Sequence, residues 1–275
     1  MDLTNVKLEL DDFNELRDLV RRHTGISLAD NKVDLVKRRL TPRMRTLGIP
    51  SFRAYIEYLK SGHQQEILSF SDAITTNLTY FFREEHHFEM LSDLILPAFA
   101  KNHGRYKPFR AWSAGCSSGE EAYSMAMVMR EFFGMSGNVE ILATDLDQNC
   151  LRSGRDGVYR IEQMDKVGQE RLARWFMKGK GGRDGFVKAK KELVNLIKFE
   201  RLNLMESWPG VGQFDVIFCR NVMIYFDKPT QKRLVERFAD HLKPGGHLIV
   251  GHSEMIQNMS SRIRLLGKTV YEKVG

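Results

Sequence analysis

The chain has 275 residues, of which 42 are Lys or Arg and 35 are Asp or Glu, so its formal net charge is +7. This length allows one large domain or two smaller ones with a buried core, and it excludes a mini-protein, a fibre or a coiled coil. The charge is compatible with nucleic acid, an acidic protein face or an anionic small molecule as partner.

The cysteines and the apolar runs indicate in which cellular compartment the protein is expected. Cys116, Cys150 and Cys219 lie far apart and form no CxxC pair, which favours reduced thiols. No apolar run approaches the ~20 residues of a membrane span. The first ten residues lack the basic and apolar regions of a secretion signal. We therefore expect a soluble, cytoplasmic protein that is not inserted in a membrane.

Short helices are predicted for roughly the first 75 residues. Apolar residues at helical spacing predict a first helix with a capping pair at Asp12 and Glu15 and an end at Gly25. Ser51 is predicted to begin a third helix, and a fourth covers Gln65–Ile74. No strand pattern occurs in this region.

The second helix of this region is basic and contains a proline. Its apolar stripe extends from Val33 to Leu47, and Pro42 predicts a kink or a restart with Thr41 as cap. Residues 31–45 carry six basic side chains against one acid, Asp34, which gives a local charge of +5. The six are Lys32, Lys37, Arg38, Arg39, Arg43 and Arg45. This face is either simply solvated or steers an acidic protein partner.

From about Phe109 the pattern changes to short apolar runs that alternate with helical segments, which is typical of a parallel sheet with crossover helices. The glycine-rich segment between Trp175 and Phe199 predicts an inserted antiparallel hairpin, and Arg264–Lys273 predicts a closing hairpin strand. The predicted strands are Phe109–Ala114, Val139–Thr144, Phe214–Cys219 and His247–Val250, and the predicted helices are Glu120–Phe133, Gln148–Ser153 and Thr230–Leu242.

A small-residue loop, Gly115–Gly119, joins the first of these strands to its helix. In a doubly wound sheet a ligand lies at the carboxyl ends of the strands, and glycines let the backbone approach it. A purely steric need for glycine in the turn explains the loop equally well. Glu120 and Glu121 at the helix start disfavour a pyrophosphate and suit a cationic ligand such as S-adenosylmethionine.

Polar residues also follow two other strands. Asp145, directly after the second strand, is placed to accept hydrogen bonds from ribose hydroxyls. Its alternative role is that of a helix N-cap, which Asp147 could equally fill. Arg220 and Asn221 follow the strand Phe214–Cys219 and would face the same crevice. These elements indicate an adenosine site without a pyrophosphate.

Four separated motifs occur in order along the chain. They are Thr75–Glu84 with His86–Phe88, Ser118–Ser124, Ala143–Asp147 and Phe218–Phe226. Together they closely resemble the chemotaxis receptor methyltransferase family, CheR, from about Leu10 to Tyr271. Their consistent spacing argues against chance agreement.

The resemblance implies an α/β protein in which a small, all-helical N-terminal domain precedes a Class I, Rossmann-like methyltransferase domain with an inserted antiparallel β-subdomain. The implied boundaries are 1–75 for the helical, receptor-facing domain, 76–100 for a linker that contributes to the active site, and 101–275 for the catalytic domain. The β-subdomain is expected at about 172–200.

The implied reaction transfers a methyl group from S-adenosylmethionine to glutamate side chains of membrane chemoreceptors, for adaptation in bacterial chemotaxis. The products are glutamate methyl esters and S-adenosylhomocysteine. By motif, the resemblance assigns catalytic roles to Arg83 and Tyr225 and a substrate-binding role to Lys32, Arg39 and Arg43. It assigns cofactor binding to Asn77, Thr79, Arg83, Glu121, Asp145, Asn203, Leu204, Arg220 and Asn221.

Glutamate is ionised at neutral pH, so the reaction needs no general base, and Arg83 and Tyr225 are expected to position the acceptor carboxylate. Without the resemblance, an ion pair of Arg83 with Glu84 or Glu85 would be preferred. His86 and His87 are adjacent and have no third ligand at useful spacing, so we expect no metal.

Two departures concern the partner. Pro42 interrupts a basic helix that is usually uninterrupted in relatives. The hairpin around Gly179–Gly185 resembles the subdomain that, in some members only, binds a peptide at the receptor C-terminus.

Other functions fit the sequence less well. A nucleic-acid methyltransferase would need an amine-recognising motif after the fourth strand, where Cys219–Val222 lacks it, so nucleic acid is not expected as partner. A module without activity is disfavoured by the presence of Arg83, Asp145 and Asn221. A dehydrogenase is disfavoured by the glycine pattern and the acidic helix start.

Overall fold

A computed structural model describes residues 6–274 of the chain. The first five residues, on which the prediction about a secretion signal partly rests, lie outside this range. Among the described residues, no helix combines the length and the apolar character needed to cross a membrane.

Four helices form the N-terminal part, and their apolar faces enclose a core of their own that includes Phe13, Val36, Tyr55 and Phe70. They are α1 (Leu10–Thr24), α2 (Val33–Leu47), α3 (Phe52–Lys60) and α4 (Gln64–Ile74). As predicted, α1 ends at Gly25, whose φ of 75° lies in the left-handed region that glycine adopts without strain. Ser51 caps α3 as predicted, because its side chain accepts a hydrogen bond from the Ala54 N–H at 3.2 Å.

The two capping predictions for these helices, at Asp12 and at Thr41, are wrong. Helix α1 begins before Asp12, and that carboxylate pairs with Arg53 at 2.6 Å instead of capping. Helix α2 continues through Pro42 and does not restart there. Thr41 is not a cap, since its hydroxyl donates to the carbonyl of Lys37 at 2.7 Å. Packing of the buried stripe against the core outweighs the hydrogen bond that proline removes.

A connecting segment leads from the helical part to the sheet. It contains α5 (His86–Met90), a π-helical turn (Leu91–Ile95) and α6 (Leu96–His103). Apolar residues of this segment, among them Phe88 and Leu91, belong to the core of the sheet domain.

The centre of the second part is a seven-stranded sheet with the order β6-β2-β1-β7-β8-β10-β9. Its strands are β1 (Phe109–Ala114), β2 (Val139–Asp145), β6 (Ile197–Arg201), β7 (Phe214–Cys219), β8 (Leu242–Val250), β9 (Ile263–Gly267) and β10 (Val270–Lys273). The first five are parallel, and β10 and β9 form the closing antiparallel hairpin that the sequence predicts. The order of the parallel strands reverses beside β1, and this switch point is where doubly wound sheets bind ligands.

Helices cover both faces of this sheet. They include α7 (Glu120–Phe133), α8 (Gln148–Asp156) and α11 (Lys228–His241), so each predicted crossover helix is present. One apolar cluster contains Met125 and Met129 of α7, and the other contains Trp112 and Phe238 on the opposite side. Burial on both faces explains why β1 and β7 are largely apolar in sequence, with Arg110, Ser113 and Asp215 as the polar exceptions.

A small antiparallel sheet of three strands, in the order β3-β5-β4, is inserted between α8 and β6. Its strands are β3 (Val158–Arg160), β4 (Phe176–Lys178) and β5 (Phe186–Ala189), with α9 (Gln169–Trp175) before β4 and α10 (Lys191–Val194) after β5. The predicted hairpin is β4–β5. The insertion differs in extent from the predicted 172–200: the sequence reading missed β3, and it included β6, which pairs with β2 in the main sheet.

Candidate active site

A pocket lies at the carboxyl ends of the parallel strands. Its walls come from the segment after α4, from the loops after β1, β2, β6 and β7, and from the end of α1. All ten residues predicted for the cofactor or for catalysis line this single pocket: Asn77, Thr79, Arg83, Glu121, Asp145, Asn203, Leu204, Arg220, Asn221 and Tyr225.

Asp145 ends β2 and faces the pocket with its carboxylate held in place. Its Oδ2 accepts the Ser117 N–H at 2.8 Å, and its Oδ1 accepts the Asp147 N–H at 2.9 Å. Burial raises the pKa of Asp145, and the two amide donors oppose that rise. Asp147 is the N-cap of α8 and accepts a hydrogen bond from the Asn149 N–H at 2.8 Å. The capping role that the sequence also allowed for Asp145 therefore belongs to Asp147.

Asn77 connects the segment after α4 to this corner of the pocket. Its Nδ2 donates to Asp147 Oδ2 at 2.7 Å, and its carbonyl oxygen accepts from the Ser117 hydroxyl at 3.1 Å. Thr79 lines the same wall two residues further on. The side chain of Asn77 therefore fixes the wall and leaves little donor capacity for a ligand.

Of the two acids at the start of α7, only Glu121 lines the pocket. Glu120 is buried elsewhere and accepts from the Ser118 hydroxyl at 2.7 Å. The expectation that both charges face the ligand is therefore wrong. Burial raises the pKa of Glu121, whereas Arg220 at 3.0 Å and the Ser113 hydroxyl at 2.6 Å favour its carboxylate.

Arg220 lies directly after β7, with its side chain only 2% exposed. It pairs with Glu121 through Nη1 and with Glu84 through Nη2 at 3.3 Å, and Nη2 also donates to the carbonyl of Arg83. Among residues 6–274, Arg220 Nε has no hydrogen-bond partner. The guanidinium thus joins two carboxylates from different segments.

Arg83 and Tyr225 both line the pocket, the first just before α5 and the second in the 3-10 turn after β7. Arg83 Nη1 donates to the Leu78 carbonyl at 2.7 Å, and the guanidinium carbon lies 5.9 Å from the centroid of the Tyr80 ring. No ion pair joins Arg83 to Glu84 or Glu85 in the described chain. Its remaining donors are therefore available to a ligand.

Asn203 and Leu204 form the far end of the pocket. The Asn203 Nδ2 donates to the His23 carbonyl at 2.8 Å and to Glu206 at 3.0 Å, and its Oδ1 accepts the Met205 N–H at 3.0 Å. The Asn203 side chain therefore makes its hydrogen bonds to α1 and to its own loop. Leu204 offers an apolar wall.

The predicted basic face is only partly exposed. Arg39 donates to the carbonyls of Ile74 and Thr75 at 2.6 and 2.7 Å, and Arg43 pairs with the buried carboxylate of Glu66. Both residues are predicted to bind substrate; in the structure Arg39 ties α2 to the end of α4, and Arg43 ties α2 to the first turn of α4. Lys32 is exposed in the 3-10 turn before α2, and Arg38 and Arg45 are also exposed.

Several pocket residues were missed by sequence reasoning, including Thr24 and Ile26 from the helical part and Ser117 from the glycine-rich loop. Glu84, next to Arg83, was considered only as an ion-pair partner. Four residues at or next to the pocket, Phe82, Glu84, Ser117 and Asn221, have positive φ between 49° and 58° without being glycine. Such strain clusters at functional sites, but its sequence signal is weak.

Among residues 6–274, no group of three or more His, Cys, Asp or Glu side chains is arranged to hold a metal ion. His87 is fully buried, and its Nε2 lies 3.0 Å from the Lys268 carbonyl. Burial lowers the pKa of His87 to about 3, and Arg220 and His86 add to this effect.

The strand order and the pocket at the carboxyl edge of the sheet are those of a Class I, Rossmann-like methyltransferase fold. Residues 77–272 match the family model described as CheR methyltransferase, SAM binding domain, and residues 11–75 match CheR methyltransferase, all-alpha domain. The chain belongs to the CheR methyltransferase family, whose members methylate with S-adenosylmethionine in chemotaxis.

Two similar relatives are the chemotaxis protein methyltransferase of Salmonella typhimurium and chemotaxis protein methyltransferase 2 of Pseudomonas aeruginosa. The first is 42% identical over 94% of this chain and 88% of its own length, and the second is 43% identical over 95% and 92%. Among solved structures, PKMT2 from Rickettsia typhi is 14% identical with a TM-score of 0.38 over 64% of this chain and 26% of that chain, which is too distant to carry an argument.

Proposed function

We propose that this protein transfers the methyl group of S-adenosylmethionine to glutamate side chains of membrane chemoreceptors, which forms glutamate methyl esters and S-adenosylhomocysteine. The observation that carries the proposal is the single pocket in which Glu121 and Asp145 lie together with Arg83 and Tyr225. The pocket combines acidic groups for a cationic nucleoside with a free guanidinium for a carboxylate.

The donor set of the pocket fits S-adenosylmethionine. Asp145 keeps lone pairs for ribose hydroxyls beside the two amides that orient it. Leu146, Leu202 and Leu204 supply apolar walls for a base, and Glu121 supplies negative charge for a cation. The residues that line the pocket include no lysine, which suits a nucleoside without phosphates.

When bound, S-adenosylmethionine supplies an electrophilic methyl group on a sulfonium. The acceptor glutamate has an ordinary pKa of ~4.3, so it is already a carboxylate and the chain needs no base. Arg83 can hold one carboxylate oxygen through its planar donors and leave the other free to attack. Tyr225 can hydrogen-bond to the same group, and the enclosed walls exclude water from it.

The receptor partner would present an acidic helical bundle to the helical domain. We assign its electrostatic contact to the exposed residues Lys32, Arg38 and Arg45, and we assign Arg39 and Arg43 to the support of that face. A receptor C-terminal peptide could add to the small sheet, where Met177 and Phe186 are exposed. The reaction would take place on the cytoplasmic side, where the reduced cysteines are stable.

We also propose the division into a helical domain up to residue 75, a linker over 76–100 and a catalytic domain from 101 onward. The linker would act in the site through Asn77, Thr79 and Arg83, which lie between the two cores.

Incubation of the protein with radiolabelled S-adenosylmethionine and receptor-containing membranes tests the proposal. We expect base-labile label on the receptor band, released as methanol, and loss of that label when the acceptor glutamates are changed to Gln. Label on nucleic acid, or base-stable label on the receptor, would contradict the proposed substrate.

A further inference from the structure

Glu84 lies just behind the pocket wall and connects three segments of the chain. Its side chain, 16% exposed, accepts from Asn221 Nδ2 at 3.2 Å and from the His252 N–H at 3.0 Å, and it pairs with Arg220 at 3.3 Å. Its backbone φ of 56° is unusual for a residue other than glycine. These contacts fix Glu84 in place although it does not line the pocket.

The charge of Glu84 changes the balance around Arg220. Arg220 carries one positive charge and faces two carboxylates, Glu84 and Glu121, so the three side chains sum to −1. Burial works to raise the pKa of Glu84, but Arg220, Asn221 and the His252 N–H outweigh it and hold the pKa below its ordinary value. The Glu84 carboxylate is therefore ionised at neutral pH, and Arg220 at 3.0 Å favours the carboxylate form of Glu121.

We infer that Glu84 is a specificity-determining residue: by neutralising Arg220 from behind, it leaves the negative charge of Glu121 uncompensated toward the pocket and so favours a cationic over a neutral nucleoside ligand. This inference rests on the proposed function, because it assumes that the pocket holds S-adenosylmethionine. Without Glu84, the four charged side chains that line the pocket would sum to zero, and the pocket would lose its attraction for net positive charge. These four are Arg83, Glu121, Asp145 and Arg220.

The methyl donor and its product differ in net charge, which is the property to which Glu84 would respond. S-adenosylmethionine carries a sulfonium, an ammonium and a carboxylate, for a net charge of +1. S-adenosylhomocysteine has a neutral thioether in place of the sulfonium, and its net charge is zero. Loss of one negative charge near the pocket should therefore weaken the binding of the first and barely affect the second, which would slow product exchange.

The test is equilibrium binding of both ligands to the full chain by calorimetry at low salt. For Glu84→Gln we expect about tenfold weaker binding of S-adenosylmethionine and a change of twofold or less for S-adenosylhomocysteine. Glu84→Asp keeps the charge and tolerates a positive φ, so it should keep the wild-type ratio of the two affinities. Glu85→Gln removes an exposed neighbouring charge and should also keep it.

If Glu84 had only a structural role, Glu84→Gln would weaken the binding of both ligands by the same factor, and that result overturns the inference. So does an unchanged ratio in a variant whose melting temperature matches the wild type. Failure of the proposed function looks different: the wild-type protein would then bind neither ligand, or Asp145→Asn would leave both affinities unchanged.

Discussion

The Asp147 N–H donates to Asp145 Oδ1 at 2.9 Å, so two aspartates separated by a single residue are held in one turn but have different contacts. Asp145 faces the pocket, whereas Asp147 caps α8 and holds Asn77.

This division of roles predicts different effects of the two substitutions. Asp145→Asn should weaken S-adenosylhomocysteine binding at least tenfold, because a charged acceptor for the ribose is lost. Asp147→Ala should instead lower the free energy of unfolding by about 1 kcal/mol through the lost cap. Calorimetric titration and urea unfolding of both variants measure the two effects, and an exchange of the two phenotypes would contradict the assignment.

Arg83→Lys should separate catalysis from cofactor binding. Lysine keeps the charge but loses the planar pair of donors that would hold a carboxylate, so we expect kcat to fall at least tenfold. The affinity for S-adenosylhomocysteine should change threefold or less, since Asp145 and Glu121 remain. Initial rates with saturating cofactor measure the first quantity, and a matching loss in affinity would assign Arg83 to the cofactor alone.

Arg43 and Arg45 provide a matched pair on α2. Arg43→Gln leaves Glu66, whose side chain is 5% exposed, without its cation, so we expect about 2 kcal/mol of destabilisation. Arg45→Gln removes an exposed charge and should change stability by less than about 0.5 kcal/mol while raising the KM for receptor at low salt. Denaturant unfolding and receptor titrations distinguish the two, and equal KM effects would place Arg43 in the docking face after all.

The buried His87 predicts a pH dependence of stability. The pKa of His87 is about 3 in the folded chain and ordinarily about 6.5. Between these two pH values the imidazole is protonated in the unfolded chain but not in the folded chain. Stability should therefore fall as pH drops below about 6.5, by up to about 1.4 kcal/mol per unit. The Lys268 carbonyl and Glu84 oppose this effect of burial on the His87 pKa, and Arg220 and His86 reinforce it.

His87→Gln tests this prediction, because glutamine can keep a donor for the Lys268 carbonyl but does not titrate. Between pH 6 and 4 its unfolding free energy should fall less steeply than that of the wild type. Parallel curves would mean that His87 is protonated in the folded chain.

The sequence was informative where one physical requirement dominates. Largely apolar runs predicted β1 and β7 with their observed bounds, because strands buried on both faces tolerate few polar side chains. The ten pocket residues were identified because they follow strand ends or belong to family motifs. The restart predicted at Pro42 does not occur, because tertiary packing of the apolar stripe of α2 outweighs the loss of one local hydrogen bond.

What could not be predicted depends on contacts between distant segments. Arg39 and Arg43 read as a free basic face because their partners, the end of α4 and Glu66, are more than twenty residues away. Strand β3 was missed since three residues carry no usable periodicity. The part played by Glu84 is visible only when Arg220, 136 positions later, is placed beside it.

Thr24 and Ile26 bring the end of α1 into the pocket wall, and the Ser27 N–H donates to the Tyr225 carbonyl at 2.8 Å. A Cβ at Gly25 would overlap Met205, so even the turn that ends α1 is shaped by the other half of the chain. The helical portion is consequently no interchangeable module: a chimera that exchanged it for a relative's would alter cofactor affinity as well as receptor choice.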